Sequence, residues 1–287
     1  MLSYFYNNAT HFYMRLLSMR TKMQFFNSFH FEWNAAKEND WPKIRKNFVA
    51  AYISSYCKRT VEELQFGSEV YQHAKDFFNK HAQNGYQDLL ENVIKPLTKY
   101  LSHEKNPLLE ESNLIKEHFD DLFENENAAK ARQYIIKLIM LQHYFEEDFD
   151  QEHKKIHSGS KKIDYLIVRF SDHPVAFFAT ELNYKSGHVY LRFVTVSPAF
   201  HNLGLGKNSL MQIAKHYPQA TGMELYTRNA NHAAKGFYNH EGFKASLFDF
   251  KEHDLLDSMR CHFPTDDSTS HPESFVGYCK LMKPSFS

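Results

Sequence analysis

The arrangement that most constrains this chain is a Gly-x-Gly turn set between a strand-like run and a helix-like run. Val189–Val196 is apolar, β-branched and aromatic, short enough for a strand, and ends at Ser197-Pro198. The loop Phe200–Lys207 carries Gly204 and Gly206, and after it Leu210, Ile213 and Ala214 recur at helical spacing up to Tyr217-Pro218. Strand, glycine loop and helix therefore follow in that order. Such a loop leaves backbone N–H groups without acceptors at a helix N-terminus, where the helix dipole also favours an anion. A phosphate suits that position, and a plain tight turn is the alternative.

The next segment narrows the choice. Met223–Thr227 reads as a second short strand. Beyond it Asn231, Ala234 and the Phe237-Tyr238 pair fall at helical intervals, with Gly242 as the stop before Phe243. Together these two stretches resemble the GNAT superfamily of acetyl-CoA-dependent N-acetyltransferases. The first family motif runs Val-x-Pro-x-x-Arg/Gln-x-x-Gly-x-Gly/Ala, matched here by Val196, Pro198, Gly204 and Gly206. The second runs Asn-x-x-Ala-x-x-Phe/Leu-Tyr and then Gly-Phe, matched by Asn231, Ala234, Phe237, Tyr238, Gly242 and Phe243. Two motifs in the right order are far more specific than either alone. One departure stands out. His201 occupies the usual Arg/Gln position, and Asn202 and Leu203 replace a glycine and a basic residue. The family loop holds the CoA pyrophosphate mostly through backbone N–H groups, so the resemblance still implies a pocket. Lys207 or Arg228 would supply the missing charge.

Composition excludes several other classes. Lys+Arg and Asp+Glu balance at 34 each, so no global field favours nucleic acid or an anionic membrane. Cys57, Cys261 and Cys279 show no metal or redox spacing and fit reduced thiols in a cytoplasmic protein. The 18 histidines include no ligand pattern such as His-Glu-x-x-His, and no metal site is expected. Residues 1–27 lack Asp and Glu but carry Arg15, Arg20 and Lys22. They read as an N-terminal extension packed on the domain, or alternatively as a transit or membrane-surface segment. No stretch reaches the roughly 18 apolar residues of a spanning helix, so stable membrane insertion is not expected.

Taken in order, Phe29, Phe31 and Trp33 alternate with polar residues as a half-buried strand. Asp40 would then cap a helix with Pro42 in its first turn and Ile44, Phe48, Ala51 and Tyr52 on its buried face. From about residue 66 to 157 the pattern is helical, with helices expected over 61–82, 86–102, 111–124 and 128–145. Glu146, Glu147, Asp148, Asp150 and Glu152 form an acidic run, read as a solvated face or, more sharply, as a lid attracting a cationic amine. After a linker at 157–162, strands are expected over 164–170, 174–183 and 189–196, and a last antiparallel pair over 245–250 and 275–282. A long loop over 254–272 would join that pair. The expected fold class is thus α/β (α+β): a GNAT-type mixed, mostly antiparallel twisted sheet flanked by helices, with a helical insertion. Residues 28–65 and 158–287 are assigned to the acetyltransferase domain and 66–157 to the insertion.

The resemblance also implies a chemistry. Acetyl transfer needs a held cofactor, a polarised carbonyl, a neutral amine and a proton for the departing thiolate. Acetyl-CoA would be held by His201, Asn202, Leu203, Gly204, Leu205, Gly206 and Lys207. Its pantetheine arm and carbonyl would lie along the backbone of Phe193, Val194, Thr195 and Val196, where this strand splays from the next. Asn231 and Phe237 match further cofactor positions, although an Asn there can simply cap a helix. Tyr238 occupies the general-acid position, against the alternative of a core tyrosine. Glu181 and Glu224 are candidates for the base, with a water relay as the other route. The acceptor would be an amine on a small molecule or a protein. A competing reading is a weakly active GNAT-like module that uses its helical insertion for contact with other proteins. Transfer of a longer acyl chain is a third, and would need a wider slot beside Val194 and Val196.

Overall fold

The computed structural model describes residues 28–64, 66, 68–101, 107–159, 162–184, 186–246 and 275–282. The expected N-terminal extension, the loop over 254–272, Cys261 and residues 247–250 of the expected penultimate strand lie outside the described residues. The chain divides into two compact units. One comprises residues up to Ala51 together with those from Phe149 onward, and the other is Tyr52–Asp148.

The first unit is built on a seven-stranded sheet. Its strands are β1 (Phe29–Trp33), β2 (Ile163–Phe170), β3 (His173–Asn183), β4 (His188–Val196), β5 (Gly222–Arg228), β6 (Lys244–Ser246) and β7 (Phe275–Leu281). The spatial order is β1-β2-β3-β4-β5-β7-β6, and every neighbouring pair is antiparallel except β4 and β5. This is the mixed, mostly antiparallel sheet flanked by helices that the sequence implies. β2 turns directly into β3 through Ser171 and Asp172, both at positive φ. Two such residues give a two-residue turn whose twist matches the flanking strands.

Each face of the sheet carries its own helices. On one, α8 (Leu205–His216) places Leu205, Leu210 and Ile213 against Leu166, Phe178 and Leu191, joined by Tyr238 of α9 (His232–His240). On the other, Phe48 of α1 (Trp41–Tyr56) meets Phe193 at 4.8 Å and Phe149 at 5.4 Å between ring centroids. Burying apolar area on both faces of a central sheet supplies most of its stability.

One buried charge cluster ties the N-terminal segment to the sheet. Arg169 on β2 donates to both carboxylate oxygens of Asp40, at 3.0 and 2.7 Å, and to Glu32 of β1 at 2.7 Å. Asp40 does not start the helix as its cap. It closes a short 3-10 turn (Glu38–Asp40), where its Oδ2 accepts from the Lys37 N–H at 2.8 Å, and α1 begins at the next residue. The hydrogen bonds from Arg169 hold the Asp40 carboxyl below the usual aspartate range, against the opposing effect of burial.

The second unit is helical, and its elements differ from the sequence reading where local chemistry intervenes. The expected helix over 61–82 is two, α2 (Val61–Leu64) and α3 (Ser68–Gln83), the interruption falling at the sequence Gln65-Phe66-Gly67. α4 (Tyr86–Leu89) passes through a π-helical stretch (Leu90–Ile94) into α5 (Lys95–Leu101). Pro96 lacks the N–H that would bond one turn back, which accounts for the widened turn ahead of it. α6 (Pro107–Glu117) starts earlier than expected, with proline at its first position. α7 (Glu126–Ser158) runs for 33 residues, straight through the acidic run. Glu147 is exposed there, Glu152 is buried, and members of the run have side-chain partners. Glu146 accepts from the Tyr100 hydroxyl at 2.6 Å, Asp150 takes two bonds from Arg45 at 2.8 and 2.9 Å, and Glu152 pairs with Arg192. No helix among the described residues is long and apolar enough to cross a membrane.

Asp40→Ala is expected to lower the unfolding free energy by about 3–5 kcal/mol, the range for breaking a buried pair. Because the folded-state pKa lies below the unfolded value near 3.9, this contribution is complete above that value and is lost as pH falls through the folded one. Urea titrations should therefore show a gap between wild type and variant at pH 7 that closes below about pH 4. Equal stability at pH 7 would mean that this pair does not tie α1 to β2.

Candidate active site

β4 is shared unequally between its neighbours. Against β5 its residue pairs are His188–Gly222, Val189–Met223 and Tyr190–Glu224, and there the parallel ladder stops. Leu191–Val196 have no partner residue on β5, so the strands separate towards their C-terminal ends. Against β3 the ladder continues to Val196, with one irregularity: Phe193 faces Ala179 and Leu191 faces Thr180, so Arg192 is an extra residue, a β-bulge. The expected splay of this strand at Phe193, Val194, Thr195 and Val196 is what the register shows.

Past β4 the chain makes a 3-10 turn (Pro198–Phe200) and enters α8 through Asn202 at φ 61° and Gly204 at φ 77°. Only glycine takes that left-handed conformation without a steric cost, which accounts for Gly204. The first backbone bond back to this cap is from Asn208 N–H to Gly204 O, at 3.0 Å. The N–H groups of Leu205, Gly206 and Lys207 precede it and have no acceptor within the helix. Leu203 and Leu205 turn inward and anchor the loop, while Lys207 is exposed.

Gly206 has a different reason for being glycine. A Cβ there would lie 2.8 Å from Cζ of Phe237, so the α9 ring crosses the first turn of α8. The two sequence motifs meet at this contact. His201 Nε2 donates to the Val196 carbonyl at 2.8 Å, fastening the loop to the end of β4. Asn231 caps α9, its Oδ1 accepting from Ala234 N–H at 3.1 Å. Arg228 is buried and lies over the Phe275 ring at 4.7 Å, so charge beside the loop comes from Lys207. Tyr238 is 5% exposed among Phe237, Phe243 and Tyr278.

Both candidate bases are engaged. Glu181 accepts from Arg192 Nη1 at 2.8 Å. Glu224, 1% exposed at the last β4–β5 rung, accepts from Asn183 at 3.0 Å, Ser186 at 3.3 Å and His188 Nδ1 at 3.1 Å. Cys279, opposite Glu224 on β7, has its thiol pushed up by burial and by that carboxylate. Sequence reasoning missed Arg192, and with it the pairing of Glu152 from the acidic run in a buried ion pair between β4 and α7. The available signal was a lone arginine inside an apolar strand. Thr195 Oγ1 is buried and has no hydrogen-bond partner among the described residues.

Residues 131–243 match the model of the acetyltransferase (GNAT) family. No curated protein matches the chain. Among solved structures it is similar to a candidate streptothricin acetyltransferase from Bacillus anthracis in complex with acetyl coenzyme A. The identity is 20%, coverage is 42% of this chain and 63% of that one, and the TM-score is 0.33. The PaiA N-acetyltransferase from Thermoplasma acidophilum, in complex with coenzyme A, is 10% identical over 88% of this chain and 99% of that one, at a TM-score of 0.41. The ribosomal-protein-S18-alanine N-acetyltransferase from Escherichia coli is 18% identical over 47% of this chain and 80% of that one, at 0.33. The chain thus spans less than two thirds of the first of these structures.

The contact between the two motifs can be measured. Gly206→Ala should destabilise the wild-type protein by about 1 kcal/mol through overpacking. In a Phe237→Ala background the same change should be neutral or stabilising, since alanine is the better helix former. A double-mutant cycle by denaturant titration should give a coupling of about 1–2 kcal/mol. Additive effects would show that the ring does not press on Gly206.

Proposed function

We propose that this chain transfers an acetyl group from acetyl-CoA to a primary amine, by direct attack in a ternary complex. The observation that carries the reading is the ladder that stops at Tyr190–Glu224, so that β4 runs on unpaired on that side to Val196 and leads through one short turn into the glycine-capped start of α8. An open strand edge and a set of first-turn N–H groups then lie in sequence, suited to an extended arm ending in a diphosphate.

The residues present fit that cofactor. The N–H groups of Leu205, Gly206 and Lys207 would hold the pyrophosphate, with the Lys207 ammonium adding charge. The side chain of His201 is committed to the Val196 carbonyl. The backbone of Phe193–Val196 would hold the pantetheine arm and polarise the thioester carbonyl by N–H donation. Bound there, acetyl-CoA would supply the acyl group as an activated thioester. Tyr238 would deliver the proton needed at the departing sulfur. Deprotonation of the amine is assigned to a water relay that passes the proton on to bulk solvent or to Glu181 or Glu224, carboxylates whose hydrogen bonds do not bar them from taking a proton. The amine belongs to a small molecule or a protein, and a cytoplasmic location suits a protein of reduced thiols.

Calorimetric titration with acetyl-CoA, run beside a free-thiol assay on pooled amines, tests the reading. Binding with thiol release is the expected result. Tyr238→Phe should lower turnover roughly ten- to a hundredfold with affinity for acetyl-CoA unchanged. Gly204→Asp and Gly206→Asp should each abolish binding, since a side chain and a negative charge enter the anion cradle. No binding by the wild-type protein would overturn the enzyme reading in favour of a protein-contact module.

A further inference from the structure

We propose that Arg192, with Glu152 and Glu181, is a positioning device that holds the β4 bulge and thereby sets which side of the strand meets the acyl donor. The inference rests on the acetyl-transfer reading for its functional consequence and on the register of β4 for its geometry.

The bulge reverses the alternation of β4. Val189 and Leu191 are buried on the α8 face, and after one extra residue Val194 and Val196 pack on that same face. Phe193 lies on the opposite face, against Phe48. An unbulged strand would put 189, 191, 193 and 195 on one side. Removing the bulge would therefore exchange the two sides of Phe193–Val196, with their N–H and C=O groups, a change equivalent to a one-residue slip. This is the segment that passes beyond the end of the β5 ladder.

Arg192 is the bulged residue, and its side chain is 9% exposed. Its Nε and Nη2 both bind Glu152 of α7, the latter at 3.0 Å, and its Nη1 binds Glu181 of β3 at 2.8 Å. Lys155, one turn along α7, brings a second cation to 3.7 Å from Glu152. Burial opposes the Arg192 charge, yet the bonds from Glu152 keep its pKa above the ordinary value. The planar guanidinium reaches helix and strand in one geometry, which a lysine ammonium cannot reproduce. Arg192 acts on the reaction through the backbone that follows it.

The test compares wild type with Arg192→Lys and Glu152→Gln, both of which keep size and some hydrogen bonding, and with Arg192→Met. Three readouts are taken: acetyl-CoA affinity by calorimetry, kcat and KM on an amine that the wild type turns over, and amide hydrogen exchange. For Arg192→Lys, affinity for acetyl-CoA should weaken about tenfold and kcat should fall by a similar factor, while KM for the amine stays within about twofold. Exchange should rise at Phe193–Val196 and stay unchanged at Leu166–Val168 of β2. Wild-type affinity, kcat and exchange in a variant that has only lost thermal stability would overturn the proposal and leave Arg192 a packing residue. If the wild type binds no acetyl-CoA, the functional reading fails separately. The exchange pattern at Phe193–Val196 then judges the clamp, a local rise supporting it and a uniform or absent rise refuting it.

Discussion

A parallel strand pair that closes over three residues and then opens governs this domain. Parallel strands ordinarily stay paired because every unpaired backbone group in the interior of a sheet costs free energy. Here β4 gives up that pairing after Tyr190, and its β3 ladder continues to Val196 and keeps it in the sheet. The vertex is held by a polar cluster. Glu224 gathers hydrogen bonds from Asn183, Ser186 and His188 at the last shared rung. His188 also packs over Gly222, where a Cβ would come within 2.9 Å of its ring. Glu224 thus sits at the rung from which the two strands diverge.

The open end is organised by the helices that follow each strand. α8 begins at a left-handed glycine and α9 at a capping asparagine, and both termini come directly after the diverging strands. Gly206 and Phe237 bring the first turn of α8 beneath the ring of α9. Phosphate-sized anions suit helix starts of this kind because the N–H groups are fixed in advance and need no reorganisation. Backbone donors, more than side-chain charge, define this loop. The ring of His201 fastens that loop to the Val196 carbonyl.

Charged side chains here do structural work wherever they are buried. Arg169 joins β2 to Glu32 and Asp40, and Arg192 joins β4 to Glu152 and Glu181. Each uses the fork geometry of guanidinium to bind carboxylates distant in sequence, which leaves few buried charges uncompensated. The acidic run of α7 belongs to this pattern. Seen in sequence it is a block of like charge, and in the fold its members turn to different partners around the helix.

The sequence by itself determined the strands, the two glycine-containing motifs and the helix starts. These are local properties: alternation in Phe29–Trp33, β-branched runs in β2 to β5, and glycine or asparagine where a turn or cap needs one. The interruption of the helix over 86–102 was also written locally, in Pro96, although reading it required asking which N–H was missing. Only the tertiary structure decided the partners of Glu181, Glu224, Asp40 and the acidic run. Those partners sit on other elements, Arg169 being 129 residues from Asp40 and Arg192 being 11 from Glu181 across a strand pair. The bulge at Arg192 was equally hidden. A bulge is a mismatch between two strands, and no single strand's pattern contains the register of its neighbour.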